Sequence, residues 1–170
     1  MSTCGEVLVQ LLDSYGIEVA FGIPGTHTIE LYRGLPATRI RHVTPRHEQG
    51  GGFMADGYAR VTGRPAACFT VSGPGALNIA TAMGQALQDS VPMLVISADN
   101  ARAQLGMGEG RLHDTDDLQA AMAQCSVWSH TLMSPAELPR VLARAFSIFS
   151  SERPGPVHIA IPIDVITAAA

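Results

Sequence analysis

Charge is scarce in this sequence: Asp, Glu, Lys and Arg make up 15% of its 170 residues, against about 25% in a typical soluble domain. With 11 Lys+Arg and a net charge of -4, there is no cationic face of the kind that sequence-independent nucleic-acid binding needs. Nucleic acid is therefore not expected as a partner. No stretch approaches the ~20 apolar residues of a membrane span, and the first twenty residues lack a secretory pattern, so a cytoplasmic protein is expected. The three cysteines, Cys4, Cys68 and Cys125, lie far apart without a CxxC, which speaks against a disulfide framework and a zinc site. No two of the six histidines are spaced i, i+4, so no metal site is expected in this chain. Neither a GxxxxGK[ST] phosphate loop nor a GxGxxG with its downstream acid is present. A surface this short of charge points to area hidden against a partner.

The length fits one domain that buries about 70% of its surface on folding. Thr3 and Glu6 form a capping-box pattern ahead of Val7, Leu8, Leu11, Leu12 and Tyr15, which predicts a helix over 3–15. Short apolar runs at 19–23, 40–44, 66–72, 91–98, 127–132 and 157–161 read as strands. Helices are expected between them at 27–33, 48–62, 76–88, 118–124 and 135–150. In the 48–62 helix, Phe53, Met54, Tyr58 and Val61 fall on one face, although three glycines at its start cost about 1 kcal/mol each in a helix interior. Residues 99–116 are Gly-rich and without period, a long loop of the kind that is often functional. Ala168–Ala170 reads as the start of a linker or the end of a fragment. Apolar strands alternating with helices predict an α/β doubly wound domain, with a mainly parallel six-stranded sheet and helices on both faces. Ligands bind such sheets at the carboxyl ends of the strands.

Several chemically able residues lie at those ends. Gly73-Pro74-Gly75 follows a strand and opens a helix, a bare backbone flanked by Ser72 and Asn78; it reads either as a tight turn or as a phosphate cradle. Glu48 starts a helix and is followed by Gln49 and three glycines, so a ligand can approach closely. A carboxylate there has an ordinary explanation in the helix dipole. Set beside Phe53 and Met54, it would instead be poorly solvated and tuned for proton transfer. His42, His130 and His158 lie in strand-like runs and read as structural. His27, His47 and His113 fall in strand-end loops, His47 as a cap, and His27 and His113 as candidate site residues.

Six segments taken in order carry a resemblance: Phe21-Gly22-Ile23-Pro24-Gly25, Arg46-His47-Glu48-Gln49-Gly50, Ala55-Asp56-Gly57-Tyr58-Ala59-Arg60, Thr70 through Asn78, Asp89-Ser90-Val91-Pro92 and Arg153-Pro154-Gly155-Pro156-Val157. In register over residues 3–165, they resemble the N-terminal, pyrimidine-binding domain of the thiamine diphosphate enzymes, in the group of acetolactate synthases and 2-oxo acid decarboxylases. The resemblance implies that residues 1–170 form that domain. Nothing in the chain resembles the Gly-Asp-Gly segment that holds magnesium and the diphosphate, so the central and diphosphate-binding domains lie outside it. By the same resemblance, the cofactor's pyrimidine would dock on Ile23, Pro24 and Gly25 and near Ser72, Pro74 and Asn78. Glu48 would hydrogen-bond the pyrimidine N1' and favour the imino tautomer that removes the thiazolium C2 proton. Mg2+ would be held by the missing domain. The expected partners are a 2-oxo acid and further copies of the chain, in a dimer or tetramer formed through this domain.

Two departures bear on the substrate. The chain has Pro24-Gly25-Thr26-His27 where acetolactate synthases typically read Pro-Gly-Gly, and Leu112-His113-Asp114 where they have Phe-Gln-Glu. Together with Glu30-Leu31-Tyr32-Arg33-Gly34-Leu35, these look more like the 5-guanidino-2-oxopentanoate decarboxylase branch. His113 would then relay a proton after carbon dioxide leaves, with His27 beside it, ending in an aldehyde rather than a condensation. Other readings are a non-enzymatic α/β binding or oligomerisation module, a separate alpha subunit of a two-chain decarboxylase, and a nucleotide binder using Gly73–Gly75. A pure binding module has no need of a carboxylate among glycines.

Overall fold

Local chemistry sets where the elements begin and end. Thr3 Oγ1 accepts from the Glu6 N–H (3.3 Å) while the Thr3 N–H donates to Glu6 Oε2 (2.8 Å), the predicted capping box at the start of α1 (Cys4–Ser14). His47 caps α3 (Glu48–Thr62), its Nδ1 accepting from the Gln49 N–H (3.2 Å), and Gly63 ends the helix at φ 71°. In the computed structural model, which describes residues 1–170, these helices alternate with strands. The other elements are β1 (Val19–Gly22), α2 (Ile29–Gly34), β2 (Arg41–Val43), β3 (Ala67–Thr70), α4 (Pro74–Asp89), β4 (Met93–Asp99), α5 (Leu118–Ala123), β5 (Trp128–Thr131), α6 (Leu138–Ser151), β6 (Pro156–Pro162) and α7 (Ile163–Ile166).

All six strands join one sheet in the order β2-β1-β3-β4-β6-β5, with every neighbouring pair parallel. The doubly wound α/β architecture is therefore as expected. Alternation along the strands builds a core on each face. Leu94, Ile96, Ala67 and Phe69 pack with Leu8, Leu12, Leu31, Leu142 and Val165 from α1, α2, α6 and α7. Met93, Val95 and Cys68 pack with Ala55, Ile79, Met83, Leu118 and Met122 from α3, α4 and α5. No helix is long and apolar enough to cross a membrane.

Three expectations need correction. The buried face of α3 is Gly51, Gly52, Ala55, Asp56 and Ala59; Phe53, Met54 and Val61 are exposed. A Cβ on Gly52 would stand 2.6 Å from Ala82 Cβ and 2.8 Å from Ile79 Cγ1, so α3 lies against α4 more closely than any larger residue permits. Backbone proximity, not side-chain bulk, chose the inward face. Second, Ala168–Ala170 is not a free tail: the Cys4 N–H donates to the Ala168 carbonyl (2.8 Å) and the Ala170 N–H to the Ser2 carbonyl (3.1 Å). Third, regular structure does not end with the strand expected at 157–161: α7 follows it, and at four residues is too short to display a helical period.

One polar row crosses the apolar sheet. Thr70 Oγ1 and Ser97 Oγ are 2.7 Å apart, His158 Nε2 lies 3.1 Å from Ser97 Oγ, and His158 Nδ1 lies 2.8 Å from Ser129 Oγ. His158 is fully buried, and burial pushes its imidazole down to about 3. The structural reading of His158 stands. The unfolded chain takes up a proton at this position below pH 6.5 while the native one does not, so stability falls as pH drops from 6.5 toward 3. We expect a loss of about 2 kcal/mol from this residue between pH 6.5 and 5. His158→Gln should flatten that slope in urea unfolding; an unchanged slope would refute the assignment. A second expectation concerns α3. Gly57→Ala, where a Cβ meets nothing within 4 Å, should stabilise by about 0.5–1 kcal/mol. Gly52→Ala should destabilise by about 1–3 kcal/mol despite the same gain in helix propensity.

Candidate functional site

β1 and β3 are neighbours in the sheet, yet the chain leaves them toward opposite faces. After β1 it passes through a short 3-10 turn (Thr26–Thr28) into α2, and after β3 it enters α4 on the other side. Their divergence opens a crevice at the carboxyl ends, where ligands of doubly wound sheets bind. Val71 is its spacer. A Cβ on Gly25 would sit 2.5 Å from Val71 Cγ1, and one on Gly75 2.6 Å from Val71 Cγ2. Both loops can close onto this side chain only because they carry glycine. The first loop is fixed further by Thr28, whose hydroxyl accepts from the Gly25 N–H (3.2 Å) and donates to the Gly25 carbonyl (3.1 Å).

Glu48 is the first residue of α3 and half-buried. Its Oε2 accepts a 2.9 Å hydrogen bond from Nδ2 of Asn78, the fifth residue of α4. Its Oε1 takes part in no hydrogen bond within the chain. Gly75 is the neighbour of Oε1, at a distance where a Cβ on it would stand 3.7 Å away. One carboxylate oxygen is thus anchored, and the other is left without a partner within the chain. The expected source of its drying is corrected, because Phe53 and Met54 point outward. Enclosure comes from α4 instead.

On the other side of Val71, Ser72 is fully buried and its Oγ lies 3.3 Å from Nδ1 of His27, itself 8% exposed. Burial, followed by the neighbouring His113, holds the His27 imidazole below the ordinary histidine value. The long loop returns to lay His113 over Gly73, where a Cβ would stand 2.6 Å from the His113 carbonyl oxygen. The His113 ring meets that of His27 edge-on, centroids 6.0 Å apart.

The structure therefore brings Gly25, Glu48, Ser72, Asn78, His27 and His113 to one crevice. Pro24 and Pro74 sit exposed at its lip, and Ile23 is half-buried beside them. His47 acts as a helix cap, while His42 bonds the Gly22 carbonyl through Nε2 (3.0 Å) and His130 lies 3.3 Å from Glu137.

Sequence reasoning missed two residues. Val71 gave only the signal of an apolar residue just before Gly-Pro-Gly. Tyr32 has a buried hydroxyl without a partner, placed where a Cβ on Gly22 would meet it at 2.5 Å. Burial raises its phenol well above the ordinary value, with Cys68 and Glu48 adding to the effect.

Residues 2–126 match the family described as "Thiamine pyrophosphate enzyme, N-terminal TPP binding domain". The chain is 58% identical over 166 residues to the "Probable 2-ketoarginine decarboxylase AruI" of Pseudomonas aeruginosa, covering 98% of this chain and 30% of that protein. It is 40% identical to the acetolactate synthase isozyme 1 large subunit of Escherichia coli, covering 98% of this chain and 29% of that one. It is also 36% identical to the chloroplastic acetolactate synthase of Arabidopsis thaliana, covering 94% and 24%. The chain spans less than a third of the length of these curated relatives. It belongs to the thiamine pyrophosphate enzymes, as their N-terminal TPP binding domain.

Proposed function

We propose that residues 1–170 are the pyrimidine-binding domain of a thiamine diphosphate-dependent 2-oxo acid decarboxylase, and that Glu48 is the carboxylate that activates the cofactor. The observation that carries this reading is the geometry of Glu48: one oxygen fixed by Asn78, the other free beside Gly75. When bound, the cofactor supplies a nucleophilic carbon and an electron sink for the decarboxylated fragment. The chain supplies position and a proton. Gly25 and Gly75, drawn close onto Val71, would form the floor under a flat ring, with Ile23, Pro24, Ser72 and Pro74 around it. Glu48 Oε1 holds or releases a proton at the ring nitrogen that faces it, and Asn78 keeps the carboxylate from rotating away.

A second domain, outside this chain, holds the diphosphate and Mg2+, so these residues alone do not turn over substrate. The exposed Phe53, Met54 and Val61 on α3, Leu77 on α4, and Met107 and Leu112 on the long loop supply apolar surface for that domain or a second copy to cover, in a dimer or tetramer. With the paucity of charge, this favours an assembling enzyme over a free-standing binding module.

His113 is the proposed proton donor once carbon dioxide has left. It stands where the synthases carry glutamine, which favours release of an aldehyde over condensation with a second 2-oxo acid. The substrate then falls in the class named by the 58% identical relative, a 2-oxo acid with a guanidino end.

In a complete enzyme carrying this domain, Glu48→Gln should fold and bind thiamine diphosphate. It should lose at least about 100-fold in exchange of the cofactor's C2 proton, followed by hydrogen–deuterium exchange NMR. Exchange at the wild-type rate would overturn the role of Glu48. His113→Ala should slow aldehyde formation by about 10- to 100-fold with C2 exchange near normal; if product formation is untouched, the His113 side chain only packs.

A further inference from the structure

Three of the segments that carry the family resemblance lie outside the crevice, yet they meet at one place. Asp56 and Arg60 on α3, Asp89 and Ser90 at the end of α4, and Arg153 before β6 come together about 16 Å along α4 from Asn78. Two of these residues are poor choices on local grounds. Asp89 puts a carboxylate in the last turn of α4, which holds no basic residue, at the negative end of the helix dipole. Ser90 caps that helix at φ 60°, a position that glycine fills without strain. The two arginines account for both. Arg60 is held by Asp56, one turn earlier, through Nε to Oδ2 (2.6 Å) and Nη2 to Oδ1 (3.2 Å), and its Nη2 also donates to Asp89 Oδ2 (2.6 Å). Arg153 donates from Nε to Ser90 Oγ (2.6 Å) and from Nη2 to the Gln88 carbonyl (3.3 Å). Asp56 is 7% exposed, so Arg60 is aimed by a buried partner, unlike the solvated pairs that contribute little.

The α3–α4 pair is thus linked on both sides of its closest contact, which is at Gly52. Glu48–Asn78 lies four residues of α3, about 6 Å, to one side of it, and Arg60–Asp89 eight residues, about 12 Å, to the other. A close contact at one point fixes the distance between two helices but leaves their crossing angle free. The link on the longer arm fixes that angle. A displacement there reaches the crevice end at about half its size, by the ratio of the arms, and about half an ångström takes a 2.9 Å bond out of the usual range.

We propose that Arg60 and Asp89 are positioning residues for the cofactor-activating carboxylate: their ion pair sets the angle between α3 and α4 and so holds Glu48 in register with Asn78. This rests on the reading of Glu48 as that carboxylate and adds what aims it. Arg153, by holding the Ser90 turn, keeps Asp89 within reach of Arg60.

The variant that isolates the link is Asp89→Ala, because it cuts the bond between the helices and leaves the buried Asp56 paired with Arg60. In a complete enzyme carrying this domain and labelled with 15N-asparagine, the Asn78 side-chain amide signal is recognised by its absence in Asn78→Ala. Without cofactor, that signal should shift in Asp89→Ala, although the two residues are about 16 Å apart along the helix. With thiamine diphosphate bound, exchange of the C2 proton should slow about tenfold. In the Asn78→Ala background the same change should slow exchange less than about twofold, since the register is already lost. An Asn78 signal that does not move overturns the proposal, and so does equal slowing by Asp89→Ala in both backgrounds. Asp89→Asn keeps the shape and drops the charge, and it is read in the same way if Asp89→Ala does not fold. Normal C2 exchange in Glu48→Gln would remove the reading underneath, whereas a still Asn78 signal removes only the role of the ion pair.

Discussion

The hydrogen bond from the Asn78 amide to Glu48 ties the first turn of α3 to the second turn of α4, and most of the crevice depends on the distance it spans. That distance is set a turn further along, where Gly52 lets α3 approach Ala82 and Ile79. A larger residue at 52 would push the helices apart, and a 2.9 Å contact does not survive such a shift. The glycines of this segment, which weaken the helix locally, therefore place its carboxylate.

The crevice has two halves on either side of Val71. One is anionic and built by two helix starts; the other holds imidazoles and is built by a loop folded back over Gly73. The sheet beneath is apolar apart from the row through Thr70, Ser97, His158 and Ser129. Each member of that row has a partner, which makes burial tolerable. It crosses four adjacent strands two residues before Ser72, giving the loops above it a rigid base. Buried polar partners of this kind also specify strand neighbours, because a slip would leave a hydroxyl or a ring nitrogen unpaired in the core.

The low charge of the chain has a spatial counterpart. Phe53, Met54 and Val61 project from α3 and Leu77 from α4, on the two helices that begin at the crevice. Because the exposed apolar residues and the crevice share these two helices, a body covering one would partly enclose the other.

The strand runs, the caps and the bounds of α3 at Glu48–Thr62 could be read from the sequence, because each depends on residues within a few positions of one another: His47 before the helix, Gly63 after it, unbroken apolar runs between turns. The motifs around Glu48 and Ser72 were legible for the same reason. The inward face of α3 was not, since hydrophobic periodicity weighs bulky side chains and the contact is made by glycine and alanine. Nor was the partner of Glu48, thirty residues away on another helix, or the return of an aperiodic loop that sets His113 against His27. Sequence determined which groups are available and where the backbone turns. The packing of sheet, helices and loop decided which groups meet, because those distances are fixed by contacts between segments remote along the chain.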